Sequence, residues 1–135
     1  TEAITEFWKQ KGIDLSGFDM EDGCGLSRKN KISTRQLVSI LKLIRSDKNF
    51  SAFEKSLPVA GVSGGMASMM KGTPAEKNLK AKTGNMEKIK SYAGYVKNAG
   101  GKDVAFAIIV NNYSCTNAVL KQKLEKLMLL MAQTK

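Results

Sequence analysis

Histidine is absent from this 135-residue sequence, and cysteine occurs only twice. Without histidine, the chain by itself cannot form a Ser-His-Asp or Cys-His catalytic unit or a zinc site with imidazole ligands. Cys24 and Cys115 are too few for a disulfide scaffold and lack metal-ligand spacing. The sequence favours two separate thiols, although a single bridge would be compatible with an oxidising compartment. We predict no metal and no cofactor.

Long apolar runs are also missing. No stretch of about 18 apolar residues occurs, so the sequence predicts no membrane-spanning helix. The first six residues have neither the basic start nor the apolar middle of a secretion signal. For an exported protein, we therefore expect the signal to lie upstream of this sequence. A hydrophobic content of 42% with 25% charged residues is typical of a globular domain.

Acidic residues are few relative to basic ones: 12 Asp and Glu stand against 22 Lys and Arg, for a net charge of +10. Such a charge favours anionic partners, among them nucleic acid, anionic lipid and cell-wall polymer. The lysines, however, are spread from Lys9 to Lys135 without a cluster interleaved with aromatic residues. This spacing indicates a solvated lysine-rich surface, and we predict no nucleic-acid partner.

The periodicity of apolar residues divides the chain into helices, then strands, then a helix. Helical spacing predicts a helix over 4–11, a second from the Ser33–Gln36 capping box to about Asp47, a short third over 51–56 and a last over 116–133. Strand patterns cover 79–83, 91–97 and 104–113, and a Gly-Gly turn joins the last two into an antiparallel hairpin. This order predicts an α+β fold with an antiparallel sheet flanked by helices. The methionines of the last helix are predicted to fill the core.

A Lys-Thr-Gly triplet, Lys82-Thr83-Gly84, ends the first predicted strand. The lysine is a positive charge that can lie beside a serine nucleophile and near a substrate carboxylate. The threonine hydroxyl can donate to that carboxylate, and the glycine lets a substrate backbone approach the strand. The amide of Asn85 can point at an oxygen that becomes negative during acyl transfer. Taken alone, the triplet is more often an ordinary surface strand.

Five sequence blocks in a fixed order indicate that the triplet is a functional motif and not an ordinary surface strand. They are Asp22–Ser33, Leu57–Val62, Met70–Ala75, Ala81–Gly84 and Ala93–Val96. In this order they resemble the class C low-molecular-mass penicillin-binding proteins, the D-alanyl-D-alanine carboxypeptidase and endopeptidase family. The resemblance extends from about Thr1 to Tyr113. It implies part of a penicillin-binding transpeptidase/β-lactamase-like fold.

The resemblance assigns roles to individual residues. Lys82, Thr83 and Gly84 match the third motif of the family, and the backbone amide of Asn85 matches an oxyanion-hole donor. The remaining substrate-binding candidates match positions that, in relatives, line the pocket for the peptide's acyl-side residue. They are Leu26, Arg28 and Met86. A guanidinium at that position can hold the carboxylate of a diaminopimelate side chain. The alternative for Arg28 is an ordinary solvated loop charge.

Two positions depart from the family pattern. Cys24 stands where relatives commonly have serine, and Asn85 stands where they commonly have a small hydroxyl residue. Only the backbone amide of Asn85 is required to act, so that departure is compatible with function. A thiol nucleophile at Cys24 is disfavoured because the chain offers no histidine and no other evident base.

Two of the three family motifs are not recognisable in the chain. Ser-x-Asn does not occur, and the two Ser-x-x-Lys matches, at Ser39 and Ser68, are as many as chance would produce in a sequence this rich in serine and lysine. We therefore expect residues 1–135 to be the C-terminal part of a catalytic domain whose nucleophile-bearing N-terminal part is absent, and the chain alone to be inactive.

Two functional hypotheses follow from the resemblance. The preferred one is a part of a serine-type D-alanyl-D-alanine carboxypeptidase that acts on peptidoglycan stem peptides, binds β-lactams and works in the periplasm or elsewhere outside the cytoplasmic membrane. The alternative is a non-catalytic peptidoglycan- or protein-binding module of the same ancestry. In either case an unpaired sheet edge is expected to pair with the remainder of the domain or with a second copy of the chain.

Overall fold

The computed structural model describes residues 2–135 and confirms the α+β prediction. Three consecutive strands form one antiparallel sheet in the order β1-β2-β3. Helices precede the strands in the chain, and one long helix follows them. The elements are α1 (Glu2–Gln10), α2 (Thr34–Arg45), α3 (Phe50–Ser56), a 3-10 turn (Gly64–Met66), β1 (Lys80–Met86), β2 (Ile89–Lys97), β3 (Asp103–Asn111) and α4 (Asn117–Gln133).

The sequence predicts the first two strands but not the tight hairpin that joins β1 to β2. The alternating pattern predicts a strand that ends at Thr83, whereas β1 continues to Met86 and β2 already begins at Ile89. Gly84 and Asn85 are weak strand formers, but pairing with β2 outweighs their local preference. The two-residue turn leaves Lys88 with a φ of 53°. As a result, the whole Lys-Thr-Gly-Asn segment lies inside a strand.

One face of the sheet is covered by α4. Thr116 is the N-cap of this helix, and its side chain accepts a hydrogen bond from the Val119 amide. Its buried residues recur at four-residue spacing, as a single apolar stripe requires: Leu120, Leu124, Met128 and Ala132. They belong to the same core as Tyr92, Val96 and Phe106 of the sheet. Met128 is fully buried, which confirms the core-filling role predicted for the methionine-rich helix.

The opposite face of the sheet is partly covered by α2. The predicted capping box is present: the Ser33 hydroxyl accepts from the Gln36 amide, and the Gln36 side chain accepts from the Ser33 amide. The Tyr95 hydroxyl of β2 donates to the Leu41 carbonyl of α2 at 2.7 Å. Burial raises the pKa of Tyr95 to about 12, so this donor keeps its proton at any ordinary pH. The hydrogen bond between Tyr95 and Leu41 holds α2 against the face of the sheet on which the Tyr95 side chain lies.

Replacing Asp103 with asparagine should lower the free energy of unfolding by about 1 kcal/mol near neutral pH. Asp103 at the start of β3 accepts from Lys97 at 2.9 Å and from Arg45 of α2 at 2.6 Å. These hydrogen bonds, that from Lys97 first, lower the pKa of the carboxyl below its usual 3.8. The ionised group thus stabilises the fold above that value, and its contribution is lost as the pH falls through the folded-state pKa.

Urea denaturation of the native protein and the Asp103→Asn variant checks this prediction. The stability difference should be present near neutral pH and should narrow below about pH 4, where the carboxyl of the unfolded chain begins to take up its proton while that of the native protein is still ionised. A difference that stays constant down to about pH 3 would show that the ionised carboxylate contributes nothing beyond packing.

A helix needs about 20 consecutive apolar residues to cross a bilayer. Within residues 2–135, none is long and apolar enough to cross a membrane.

Candidate functional site

The candidate site is built around the outer edge of β1, which is the edge that does not pair with β2. At its start this edge is occupied, because the Pro58 carbonyl accepts from the Ala81 amide at 2.9 Å and the Leu79 carbonyl accepts from the Ala60 amide at 2.9 Å. Backbone groups alternate sides along a strand, so residues 83 and 85 face the same edge as residue 81. Past Ala81, no strand of residues 2–135 pairs with this edge. The amides of Thr83 and Asn85 are therefore directed to an open strand edge.

Lys82 lies on the face of the sheet that carries α2. It is opposite Ala93 in the register, and alternation puts its side chain on the same face as that of Tyr95. Its ammonium is exposed and donates to the Thr83 carbonyl at 2.8 Å, which holds the charge at the rim of the open edge. Lys80, on the same face two residues earlier, is instead paired with Glu54 of α3 at 3.1 Å. Of these two lysines, only Lys82 lacks a carboxylate partner among residues 2–135.

Two glycines, Gly65 and Gly84, each lie close to a side-chain hydroxyl group. A Cβ on Gly65 would lie 2.6 Å from the Thr83 hydroxyl oxygen, so the 3-10 turn packs directly against that hydroxyl. A Cβ on Gly84 would collide with the hydroxyl oxygen of Ser91, its partner on β2. Ser91 was missed by the sequence prediction, because its proximity depends on the strand register. The two hydroxyls lie on opposite faces of the sheet.

The side chain of Asn85 points away from the face that carries Lys82. Its amide oxygen accepts from Lys90 at 3.4 Å, and Lys90 also donates to Asn117 at the start of α4 at 2.9 Å. The side chain is thus engaged on the α4 face of the sheet. What Asn85 offers to the open edge is its backbone amide.

The loop that carries Leu26 and Arg28 is ordered by the carboxylate of Asp22. That carboxylate accepts from the amides of Gly25 and Ser27 at 2.7 Å each and from the Asn30 side chain at 3.0 Å. The hydrogen bond from Asn30 is the largest cause of the lowered pKa of Asp22. Gly25 has a φ of +78°, a conformation that favours glycine. The loop therefore has a defined shape without being a helix or a strand.

Both cysteines are free thiols, as the sequence favoured. Cys24 is exposed in the Asp22 loop, and Cys115 is half-buried before α4. Across residues 2–135, no group of three or more cysteine or acidic side chains is arranged to hold a metal ion. The chemistry available at the open edge is thus that of one ammonium, hydroxyls and backbone amides.

Arg28 connects the Asp22 loop to the end of β1. Its guanidinium is 2.7 Å from a carboxylate oxygen of Glu87, in the turn between β1 and β2. Met86, half-buried, immediately precedes Glu87, while Leu26 is 76% exposed. The structure thus brings Arg28 to the same end of β1 as Met86. Glu87 was missed by the sequence prediction, because its pairing with Arg28 joins residues 59 apart in the chain.

A sequence model of the D-Ala-D-Ala carboxypeptidase 3 (S13) family matches residues 1–134. The chain belongs to this family. Among curated relatives, the S13 chain is 31% identical to a D-alanyl-D-alanine carboxypeptidase, DacB, of Haemophilus influenzae over 125 residues, which is 91% of this chain and 26% of the relative. It is 38% identical to a D-alanyl-D-alanine carboxypeptidase of an Actinomadura species over 108 residues, which is 76% of this chain and 20% of the relative.

Solved structures of other proteins are similar in fold to the S13 chain. Two crystal structures of penicillin-binding protein 4 from Haemophilus influenzae superpose with TM-scores of 0.89 and 0.91, at 28% and 29% identity. They cover 98% and 99% of this chain, and 31% and 33% of the solved chains. The second is described as a complex with a β-lactam. The predicted partial penicillin-binding fold is therefore confirmed. The S13 chain spans 20% to 26% of the length of the two curated relatives.

The two Ser-x-x-Lys matches of the S13 chain differ in their surroundings. Ser39 is half-buried within α2. Ser68 is exposed, and its hydroxyl accepts from Lys121 of α4 at 3.2 Å. Since α4 covers the face opposite to Lys82, the Ser68 hydroxyl is bonded to a helix on the other side of the sheet from the Lys82 side chain.

Proposed function

We propose that this chain supplies the third-motif strand of a serine-type D-alanyl-D-alanine carboxypeptidase or endopeptidase that acts on peptidoglycan stem peptides. The observation that carries the proposal is the open outer edge of β1, where Lys82 lies beside the outward amides of Thr83 and Asn85. An extended peptide can bind such an edge as an added strand. Membership of the S13 family supplies the reaction class.

In the proposed reaction, a serine hydroxyl from another part of the catalytic domain attacks the carbonyl of the penultimate D-alanine. The carbonyl oxygen becomes negative, and the outward amide of Asn85 donates to it. The serine ester forms as the C–N bond breaks, and the terminal D-alanine leaves with the proton taken from the serine. Water then hydrolyses the ester and regenerates the hydroxyl. Lys82 and Thr83 bind the terminal carboxylate and hold the peptide in register along β1.

The pocket for the acyl-side residue is assigned to Leu26, Arg28 and Met86. Arg28 contacts the turn that follows Met86, so a substrate that lies along β1 would have its acyl-side residue near this guanidinium. A carboxylate on that residue could replace Glu87 as the partner of Arg28. Gly84 is the further substrate-binding residue of the proposal, since a residue without a side chain lets a substrate backbone approach the strand.

The rest of the catalytic domain is the proposed partner of this chain. Residues 1–135 would form its C-terminal part, and β3, which pairs only with β2 within residues 2–135, would accept a further strand at its outer edge. A homodimer through an open edge is the second way to complete the sheet. Because stem peptides lie outside the cytoplasmic membrane, we place the protein in the periplasm or another extracytoplasmic compartment, with β-lactams as substrate analogues.

Labelling with a fluorescent penicillin tests the proposed function. The complete protein that carries this chain should form a covalent adduct at a serine outside residues 1–135, whereas the isolated chain should form none. Mass spectrometry of the digested adduct identifies the serine. A stable adduct on Ser39 or Ser68 would refute the assignment of the nucleophile. Peptidoglycan binding by a complete protein that never acylates would support the non-catalytic module instead.

A further inference from the structure

Arg28 already has a carboxylate partner in the structure. Its guanidinium lies 2.7 Å from Glu87, and the two side chains are 65% and 72% exposed. Neither belongs to a larger hydrogen-bonded network, because each makes only this one ion pair among residues 2–135. The contact joins one guanidinium nitrogen of Arg28 to one carboxylate oxygen of Glu87. A substrate carboxylate that approaches this guanidinium therefore meets a carboxylate that is already bound to it.

We propose that Glu87 is an internal competitor for Arg28 and thereby sets the affinity for substrates whose acyl-side residue carries a free carboxylate. The inference rests on the proposed function, in which Arg28 lies in the acyl-side pocket. Glu87 acts in two ways. It occupies the guanidinium in the unbound protein, and its negative charge repels an incoming carboxylate at the same location.

The position of Glu87 makes this exchange easy. It lies in the two-residue turn between β1 and β2, next to Lys88 with its positive φ, and its side chain extends into solvent. An exposed ion pair of this kind is weak because water competes for both charges. Release of Glu87 therefore leaves its carboxylate solvated at little cost. The expected penalty on binding of a carboxylate substrate is correspondingly modest, about two- to five-fold in affinity.

A different role for Glu87 predicts the opposite change in substrate affinity when its charge is removed. If the ion pair served to orient Arg28 for the substrate, its removal would weaken binding because the guanidinium would lose its preferred position. The sign of the change on removal of the Glu87 charge thus separates competition from positioning.

The test compares Glu87→Gln with the native sequence in the complete protein, using two synthetic peptides that end in D-alanyl-D-alanine. The peptides differ only in the acyl-side residue, whose side chain carries either a free carboxylate or the matching carboxamide. For the carboxylate peptide, KM should fall about two- to five-fold, with the change in KM rather than in kcat. For the carboxamide peptide, KM should change by much less, since Arg28 has no charge to gain.

Two further variants serve as controls. Asp19→Asn removes the same unit of charge from the segment that leads into the Asp22 loop, where Asp19 pairs with Lys31 at 3.7 Å and not with Arg28. It should leave KM for both peptides unchanged. Arg28→Gln should raise KM for the carboxylate peptide and abolish any further effect of Glu87→Gln, as expected for two residues that act through one contact.

Several results would overturn the proposal. A higher or unchanged KM in Glu87→Gln excludes competition, and an equal fall for both peptides, or the same fall in Asp19→Asn, would indicate only a general change in charge. If Arg28→Gln left KM unchanged for both peptides, Arg28 would lie outside the pocket and the inference would fail with it. Penicillin labelling of the complete protein would then still support the proposed reaction, so the two failures are distinguishable.

Discussion

Replacement of Asn85 with proline should slow penicillin acylation of the complete protein by about 10²- to 10³-fold, the usual effect of removing one oxyanion donor. Proline removes the backbone N–H that the open edge of β1 directs outward. That N–H takes no part in pairing with β2, because alternation directs it away from the sheet. An edge strand tolerates proline at such a position. The loss is therefore expected in the reaction rate and not in the fold.

Asn85→Ala is the matched control for this prediction. It keeps the backbone amide and removes only the side chain, whose contact in the structure is the 3.4 Å hydrogen bond from Lys90. Acylation by the alanine variant should stay close to the native rate, measured as the rate of fluorescent penicillin labelling. Equal losses in both variants would show that the side chain, and not the amide, is what the reaction needs.

Replacement of Lys82 with methionine should also reduce the acylation rate by about 10²- to 10³-fold. Methionine keeps much of the length and apolar stem of lysine but removes its charge, so packing on the face that carries α2 changes little. The ammonium of Lys82 is exposed, and among residues 2–135 it is bonded only to the Thr83 carbonyl, which leaves its charge available to a substrate carboxylate or to the reacting serine. Loss of that charge is expected to weaken the binding of both the substrate and the transition state.

Lys80→Met provides the comparison within the same strand. Lys80 lies on the same face of β1, but its charge is already paired with Glu54 at 3.1 Å. Its removal should affect stability slightly and acylation by less than about three-fold. The assignment of Lys82 to the site fails if the two variants lose activity to the same degree. Circular dichroism of both variants should remain native-like, which ensures that the rates compare folded proteins.

The local elements could be predicted because their signals lie within a few residues of one another. Ser33 and Gln36 are three residues apart, and the capping box that they predict is present. The apolar spacing of α4 predicted its buried stripe in the same way, and Met128 is fully buried. The end of β1 was misplaced for the opposite reason, since Gly84 and Asn85 become strand residues only by pairing with residues of β2.

Contacts across the structure could not be predicted, because they join residues far apart in the chain. Arg28 and Glu87 are 59 residues apart in sequence, and nothing local to either residue specifies the pairing. The close contact that a Cβ at Gly84 would make depends on Ser91 being its partner in the register. Long-range contacts of this kind require the whole hairpin and the Asp22 loop to be in place.

The sequence by itself determined the order of helices and strands, the family blocks and the residues that can act: a lysine, a threonine, a glycine and a backbone amide in succession. Only the tertiary structure decided that the Lys82 side chain lies on the face of the sheet that carries α2, and that the amide of Asn85 points to the open edge. The physical reason is that a strand alternates both its side chains and its backbone groups. Which side is open therefore depends on the neighbours that the fold supplies.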